Sequence, residues 1–318
     1  MPRPRAGAVE RAIQVAGRLS PNQSALVGVS GGIDSVVLLH ALVNAGFRQV
    51  IVCHLDHALR PESNEDVLMV GELAHKYRLV FETERCDVRE LARSEKLSLE
   101  AAAREARYEF FSRMGKAHWC PRVVLGHHAD DQVETLLLNL VRGAGRAGLS
   151  GMRPISVRQI HGARMELYRP LLPVWREEIE AYAKQHELAF REDPTNTDPR
   201  FARNRIRHEL LPALLTTFDR NVKQALWRAA EILAAEEEWL EAATPIPSAE
   251  LSVRELSALP LALQRRLIHL WLQERNVSDI SFDDVEAVRS LLENHRRAKV
   301  NLSQGRYARR RAGRIFIE

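Results

Sequence analysis

Residues 25–38 read ALVGVSGGIDSVVL, and this stretch decides the fold. The apolar run ALVGVS predicts a buried strand, and DSVVLLHALVNAG after it has the spacing of a helix that stops at Gly46. Between them, Ser30, Gly31 and Gly32 form a glycine turn. A strand, turn and helix in this order place the turn at the carboxyl end of the strand, where open α/β sheets bind ligands.

The turn is compatible with two kinds of chemistry. GVSGG at 28–32 fits the nucleophile elbow G-x-S-x-G, but the short segment before it contains no glycine-rich oxyanion loop. S-G-G-I-D-S at 30–35 needs only backbone N–H groups, the hydroxyls of Ser30 and Ser35, and a helix N-terminus to hold a phosphate. The Walker lysine is absent, so a metal ion bound by Asp34 would help to offset the phosphate charge. These features favour phosphate binding.

Three further apolar runs, VIVCHLDH, LVFETERC and RVVLGHH, alternate with helical segments. This alternation predicts an α/β fold with a doubly wound, Rossmann-like parallel sheet. Polar residues follow the strands at His54, Asp56 and His57, and again at His127 and His128. They should therefore gather with the glycine turn at one edge of the sheet.

The chain divides into three predicted segments. The sheet domain covers 1–215, a helical linker covers 216–247, and a small α+β domain covers 248–318. The break TPIPS lies at the end of the linker. The terminal KVNLSQGRYARRRAGRIFIE predicts a strand pair that turns near Gly305 and Gly313.

Composition limits the partners. The 318 residues contain no apolar run near the roughly 18 residues of a membrane span, and the N-terminus lacks a signal-peptide core, so we expect a cytoplasmic protein. Three isolated cysteines without C-x-x-C spacing indicate buried thiols. The net charge is +4, and basic residues cluster at 295–314, which favours a polyanionic partner.

Four motifs accompany S-G-G-I-D-S: HLDHALR at 54–60, SLEAAAREARY at 98–108, GHHADDQVET at 126–135, and DPTN with RNRIRH at 193–208. S-G-G-I-D-S resembles the PP-loop of the N-type ATP pyrophosphatases. The whole set resembles the tRNA(Ile)-lysidine synthetases over nearly the whole chain. This resemblance implies that ATP adenylates the wobble cytidine of tRNA(Ile) with a CAU anticodon and that free L-lysine then displaces AMP at C2. It implies the substrates ATP, tRNA and lysine, with Mg²⁺ and no membrane, and it leaves a homodimer open.

The motif matches suggest roles for individual residues. The predicted ATP contacts are Ser30, Gly31, Gly32, Asp34, Ser35 and His54. The predicted catalytic residues are Asp34, Asp131, Arg107 and Arg207, of which Asp34 and Asp131 would also bind Mg²⁺. The predicted contacts to tRNA or lysine are His57, Arg60, His128, Arg203 and Arg207.

Several alternatives stay open. His54 and His57 could be packed core histidines, and the arginines could be solvated. Either Asp131 or Asp56 could accept the proton of the lysine amine. Two other functions are a tRNA thiolase that shares the PP-loop and a non-catalytic, nucleotide-gated RNA-binding protein.

Overall fold

The structure is a computed structural model that describes residues 7–15, 19–60, 63–191, 198, 201–218, 221–277, 280–293, 298–302 and 305–318. It divides into two compact units, Met1–Ala234 and Ala235–Glu318. The predicted DPTN motif at 193–196, and Arg296 and Arg297 of the basic cluster, lie outside the described residues.

Among the described residues, the first unit has six strands: β1 Ala25–Gly28, β2 Val50–Asp56, β3 Val80–Arg85, β4 Arg122–Val124, β5 Ile155–Ile160 and β6 Ala163–Tyr168. They form one sheet in the order β3-β2-β1-β4-β6-β5. All neighbouring strands are parallel except the edge strand β5, which is antiparallel to β6. The predicted doubly wound α/β fold is confirmed.

Helices connect and cover these strands. They are α1 Ala8–Val15, α2 Ile33–Asn44, α3 Ser63–Lys76, α4 Val88–Ser94, α5 Leu99–Ala117, α6 Ala129–Val141, α7 Arg146–Leu149, α8 Arg176–Gln185, α9 Ala202–Arg205, α10 Leu211–Thr217 and α11 Val222–Ala243. A π-helical turn, Ile206–Leu210, joins α9 to α10. Within the described part of the chain, no helix combines the length and apolar character needed to cross a membrane.

The sheet is packed on both faces because its central strands carry apolar side chains on both sides. Val27 of β1 belongs to the core shared with Leu38 of α2 and Ile179 of α8. Leu26, its neighbour, belongs to the core that contains Phe110 of α5. Alternation along one strand therefore supplies both halves of the core and leaves the carboxyl ends of the strands for polar loops.

The observed strands differ from the predicted runs at their ends. β1 stops at Gly28 and β4 at Val124, because the polar residues that close both runs leave the sheet to form loops. β5 and β6 were not predicted. β5 is an exposed edge strand, with Val157 51% exposed, so the alternation that reveals a half-buried strand is weak in its sequence.

The second unit is α+β. Its described strands are β7 Leu251–Ser252, β8 Lys299–Asn301, β9 Tyr307–Arg311 and β10 Arg314–Ile317, and its helices are α12 Val253–Ala258, α13 Leu261–Glu274 and α14 Phe282–Ser290. The strands form an antiparallel sheet in the order β7-β10-β9-β8 around a core with Trp271 and Ile315. The predicted strand pair is corrected to three strands, and the two-residue β7 adds a fourth.

Candidate active site

The glycine turn between β1 and α2 presents backbone N–H groups at the carboxyl end of the sheet. Gly31 has a φ of +92°, a left-handed conformation that glycine adopts without strain. Gly32 is the N-cap of α2 and has no side chain with which to cap the first turn. The first N–H groups of α2 are therefore available to an anionic ligand.

The two serines of the turn hold its shape. The backbone N–H of Ser30 donates to Ser35 Oγ at 3.1 Å, and Ser35 Oγ donates to the carbonyl oxygen of Gly32 at 2.8 Å. The two hydroxyls are 3.3 Å apart. Within the described structure, no histidine or carboxylate hydrogen-bonds to Ser30. This geometry favours a phosphate ligand over a nucleophile at Ser30, because a nucleophilic serine needs an adjacent base.

His54 lies beneath the turn. It is 4% exposed, and its Nδ1 donates to the carbonyl oxygen of Val29 at 2.8 Å. His54 thus holds Val29, the residue before the turn, in place. This contact fits the alternative that His54 is a packed core histidine. Its predicted contact with the nucleotide stays a prediction.

Asp34, in the first turn of α2, is held by Arg176, the first residue of α8. Nη1 of Arg176 lies 2.8 Å and 2.9 Å from the two carboxylate oxygens of Asp34. Burial raises the pKa of Asp34, and His128 and Arg176 oppose that rise. The sequence did not predict Arg176, because it lies 142 residues from Asp34 along the chain and belongs to none of the motifs.

His128 connects Asp34 to the start of α6. Its Nε2 lies 3.7 Å from Asp34 and 3.6 Å from Asp131, and its Nδ1 lies 3.7 Å from Asp130. Burial opposes protonation, but the three carboxylates outweigh it and raise the pKa of His128. At 2% exposed, His128 lies behind these acids, and its burial argues against the predicted direct contact with tRNA or lysine.

Asp130 has a structural role that the sequence did not reveal. It accepts a hydrogen bond from the backbone N–H of Arg176 at 2.9 Å and from Lys223 Nζ of α11 at 2.6 Å. Burial opposes ionisation of Asp130, but the neighbouring His128 and the hydrogen bond from Lys223 outweigh it and hold the pKa of Asp130 well below its usual range. Asp130 therefore ties α6 to the starts of α8 and α11.

Asp131 and Glu134 of α6 face two of the predicted arginines. Glu134 is 1% exposed and accepts from Arg207 Nε at 2.6 Å, while Arg203 Nε lies 3.1 Å from its other oxygen. Arg207 also lies 3.6 Å from Asp131. Burial raises the pKa of Glu134, whereas His128 and Arg203 outweigh burial and lower that of Asp131. The structure thus brings together three of the predicted site residues, Asp131, Arg203 and Arg207, and adds Glu134.

Arg107 of α5 and His127 approach the same cluster. Burial lowers the pKa of His127 to about 3, against the pull of Asp131, so its imidazole is neutral. Arg107 remains exposed, although protein atoms surround its guanidinium, as expected for a side chain in a cleft. This crowding, with Arg104 and Arg203 nearby, lowers the pKa of Arg107. Arg107 forms no ion pair with a described carboxylate, so its charge is available to a phosphate group.

The residues that follow β2 are more fully occupied. Arg60 is ion-paired with Asp66, and its predicted contact with tRNA would compete with that pair. Asp56 is 3% exposed and accepts from the backbone N–H of Ala58 at 2.8 Å. His57 is partly buried, and its contact with the substrate stays a prediction.

Asp34 and Asp131 suit Mg²⁺ as a pair. Mg²⁺ is usually bound through one or two carboxylates, with substrate phosphates and water as the other ligands. The charge of Asp131 raises the pKa of Asp34, so the two carboxylates repel each other and a cation between them would relieve this repulsion. In the described part of the chain, no cluster of three or more His, Cys, Asp or Glu side chains could hold a metal ion unaided.

Two family models match most of this chain. Residues 7–214 match the family model of the PP-loop domain, and residues 251–316 match that of the TilS substrate binding domain. The tRNA(Ile)-lysidine synthase of Gloeobacter violaceus is 37% identical over 297 residues, which cover 90% of this chain and 87% of that protein. This chain belongs to the tRNA(Ile)-lysidine synthase family. The family member from Geobacter sulfurreducens is 42% identical over 292 residues, covering 87% of this chain.

Other family members are longer. This chain spans 60% of the Geobacter protein and 58% of the Thermus thermophilus synthase, to which it is 37% identical over 308 residues. Among solved structures, the U34-tRNA thiolase NcsA from Methanococcus maripaludis is 18% identical, with a TM-score of 0.58 over 71% of this chain and 78% of that one. The likeness to the thiolase shows a shared fold.

Proposed function

We propose that the protein joins L-lysine to C2 of the wobble cytidine, position 34, of tRNA(Ile) with a CAU anticodon, with conversion of ATP to AMP and pyrophosphate. The proposed location is the cytoplasm, where this tRNA is found. The observation that supports the proposal is the meeting of three features at one end of the sheet: the phosphate-binding turn, the acids of α6 and the charge of Arg107, which has no ion pair with a carboxylate in the described ranges. Each is required by a different part of the reaction.

In the first step, the cytosine O2 attacks the α-phosphorus of ATP, and the bond from that phosphorus to the pyrophosphate oxygen breaks. The turn at Ser30–Gly32 and the first N–H groups of α2 would hold the departing pyrophosphate. Asp34 and Asp131 would hold Mg²⁺, which offsets the negative charge of the phosphates. Arg107 would contact the phosphate group that faces its cleft.

In the second step, the lysine Nε attacks C2, the bond between C2 and O2 breaks, and AMP leaves with that oxygen. The amine must first lose a proton, because its ordinary pKa is near 10.4. We assign the proton to Asp131, because Asp56 and Glu134 are only 3% and 1% exposed. Arg203 and Arg207 lie beside Asp131 and Glu134 and complement the carboxylate of a free amino acid.

The test uses the full chain with ATP, radiolabelled lysine and a tRNA(Ile) transcript with a CAU anticodon. We expect label in the tRNA and one pyrophosphate released per lysine incorporated. A matched transcript in which only C34 is changed to U should yield neither product. A protein that binds the CAU transcript but releases no pyrophosphate and incorporates no lysine would instead be an RNA-binding protein, and the proposal would be wrong.

A further inference from the structure

A row of arginines leads away from the candidate active site. Arg104 and Arg203 both lie within electrostatic range of Arg107, and Arg104 and Arg158 lie within range of Arg169. Arg104 and Arg107 are one turn apart on α5, Arg169 follows β6, and Arg158 lies on the edge strand β5. The row therefore extends from the α6 cluster to the edge of the sheet.

Most of this positive charge is not neutralised by the protein. Arg104, Arg107 and Arg158 form no ion pair or hydrogen bond with a carboxylate in the described ranges. Arg113, on the same helix α5, differs: it lies 2.7 Å from a carboxylate oxygen of Glu84 and 2.5 Å from one of Glu109. Like charges held close together raise the free energy of the protein unless a ligand of opposite charge binds them. The row is thus suited to an anion.

The row is also held in place. The guanidinium of Arg104 lies over the ring of Tyr108, 5.2 Å from its centroid. Arg169 is 3% exposed, and its Nη1 donates to the carbonyl oxygen of Arg153 at 2.8 Å and to Ser156 Oγ at 3.1 Å. Its Nε is buried and has no partner among the described residues. Arg169 also interacts with Tyr108, so it is a buried charge within the row, whereas Arg104 and Arg158 are exposed.

We propose that the exposed Arg104 and Arg158 bind the ribose-phosphate backbone of the RNA strand on one side of the nucleotide that enters the active site, while the buried Arg169 adds its charge to the row. The inference rests on the proposed function for the identity of the RNA. The extended row fits successive phosphodiesters, whereas the phosphates of ATP have their own site at the start of α2. Phosphate contacts of this kind fix the position of a nucleic acid without reading its sequence.

The structure offers a matched pair of variants for the test. Arg158 lies opposite Met165 in the register of β5 and β6, and Met165 packs in the core with α5, so Arg158 is on the α5 face of the sheet. Arg164 precedes Met165 on β6, so it points to the other face. Both are exposed arginines on the same hairpin. The test variant is the double substitution Arg104→Gln with Arg158→Gln, and the control is Arg164→Gln.

The measurement is the affinity for an unmodified tRNA(Ile) transcript with a CAU anticodon, without ATP or lysine, over a series of KCl concentrations. We expect the double variant to bind about tenfold more weakly, the effect typical of removing a charge-assisted hydrogen bond. The slope of its log affinity against log KCl concentration should become shallower by about 0.7 for each phosphate that the variant no longer binds. Arg164→Gln should keep the parental affinity and slope, and the thermal midpoint of each variant confirms that it folds.

Two results would overturn the inference: a double variant with the parental salt slope, or one that loses affinity for ATP while it binds RNA like the parent. The second result would assign the row to the nucleotide. The outcomes also separate the two proposals. If the double variant binds RNA like the parent and still incorporates lysine, only the inference about the arginine row is contradicted. If the salt slope of the parent depends on these arginines but the parent never incorporates lysine, only the proposed reaction is contradicted.

Discussion

Asp34 is the residue at which the phosphate-binding turn and the acids of α6 meet. Its carboxylate is bound by Arg176 and approached by His128, and it repels Asp131. Removal of its charge would leave Arg176 paired with Glu180 alone among the described acids and would leave Asp131 as the remaining proposed metal ligand. A single charge would therefore affect both the proposed phosphate site and the proposed metal site.

We expect Asp34→Asn to lower the rate of pyrophosphate release by at least about 100-fold, the scale of removing one electrostatic interaction from a transition state. The amide keeps the size of the side chain, so ATP should still bind. The measurement is pyrophosphate release over a series of Mg²⁺ concentrations, in which the variant should need more Mg²⁺. An unchanged Mg²⁺ requirement would contradict the role of Asp34 in metal binding.

Ser30→Ala is the comparison for Asp34→Asn. It removes one hydroxyl from the turn but no charge, so ATP use should weaken by only about 1–3 kcal/mol. Detection of a covalent adduct on Ser30 during turnover would show that the serine is a nucleophile after all.

Single residues also show which parts of the site the sequence could predict. Asp34 and Asp131 each lie in the first turn of a helix that follows a strand, so local pattern was enough to place them. Two contacts of this site could not be predicted. Arg176 reaches Asp34 through the packing of α8, and Lys223 reaches Asp130 through the packing of α11, and this packing has no local signature in the sequence.

Between elements, the loop after β4 passes close to the first turn of α2. A Cβ at Gly126 would lie 3.1 Å from the carbonyl oxygen of Asp34 and 3.4 Å from the backbone N of Ser35. Both atoms belong to the first turn of α2 and cannot move without the phosphate-binding turn. The glycine thus lets the two strand ends share one ligand site.

Gly126→Ala should therefore displace the first turn of α2. We expect a decrease of about 1–3 kcal/mol in stability, as for other overpacked positions, and a higher KM for ATP. Gly145→Ala is the control, because a Cβ at Gly145 meets no atom within 4 Å. Equal KM values for ATP in the two variants would contradict the close approach.

In the second unit, Glu286 joins α13 to α14. It accepts from Arg265 Nε at 2.8 Å and from Arg289 Nη2 at 2.9 Å. Hydrogen bonds from Arg289 and Arg265 lower the pKa of Glu286 to about 2. A lowered carboxyl pKa stabilises the folded state above the unfolded pKa near 4.5, and this contribution is lost as the pH falls through about 2.

Glu286→Gln should therefore destabilise the chain by about 1–2 kcal/mol at pH 7, after allowance for solvent screening. The difference from the parent should shrink by about half at pH 3. Urea unfolding of both proteins at pH 7, 5 and 3 measures it. Asp283→Asn, an exposed residue of the same helix without a described ion pair, controls for the removal of one acidic charge. A difference that does not depend on pH would contradict the assignment.

The strands that the sequence missed in full are β5, β6 and β7. β7 has two residues, too few for a period of two to be visible, and β5 is exposed at the edge of its sheet. β6 was missed although Met165 and Leu167 are buried, because it lies inside the sheet only through its pairing with β4 and β5. The central strands β1 and β2 were predicted because nearly every residue in them is buried, and the edge strand β3 was predicted as well.

For the whole molecule, the cysteines separate lysidine chemistry from thiolation. Cys53 and Cys120 are buried in the core beside α5, and burial raises the pKa of the Cys53 and Cys86 thiols. Thiols with raised pKa values stay protonated at neutral pH and are therefore poor nucleophiles. We expect the variant with all three cysteines changed to alanine to lose about 0.5–3 kcal/mol in stability at each buried position and to keep lysine incorporation. A folded variant that binds tRNA but no longer performs the chemical step would favour a thiolase.

The second unit presents its own basic surface. In the register of its sheet, Lys299 lies opposite Arg309, and Arg314 lies opposite Arg311. Directly opposed residues share a face, so these four exposed cations lie together. Arg310 points the other way, and its Nη1 donates to the carbonyl oxygens of Leu291 and Leu292 at 3.0 Å and 3.1 Å.

This face should bind tRNA phosphates outside the anticodon. Arg309 lies 3.3 Å from Glu318 in an exposed ion pair, and a phosphate can replace Glu318 at little cost. Arg311 has no ion pair in the described ranges. We expect Arg309→Gln with Arg311→Gln to weaken binding of the full-length tRNA and to flatten its salt dependence by about 0.7–0.9 log units for each phosphate released from the face. Pyrophosphate release at saturating tRNA should change little, because the chemistry is proposed for the first unit.

Arg310→Gln is the control and should instead lower stability and keep the salt slope. A double variant with the parental affinity and slope would show that the face is only solvated, since removing cations that bind phosphates must change the number of counterions released.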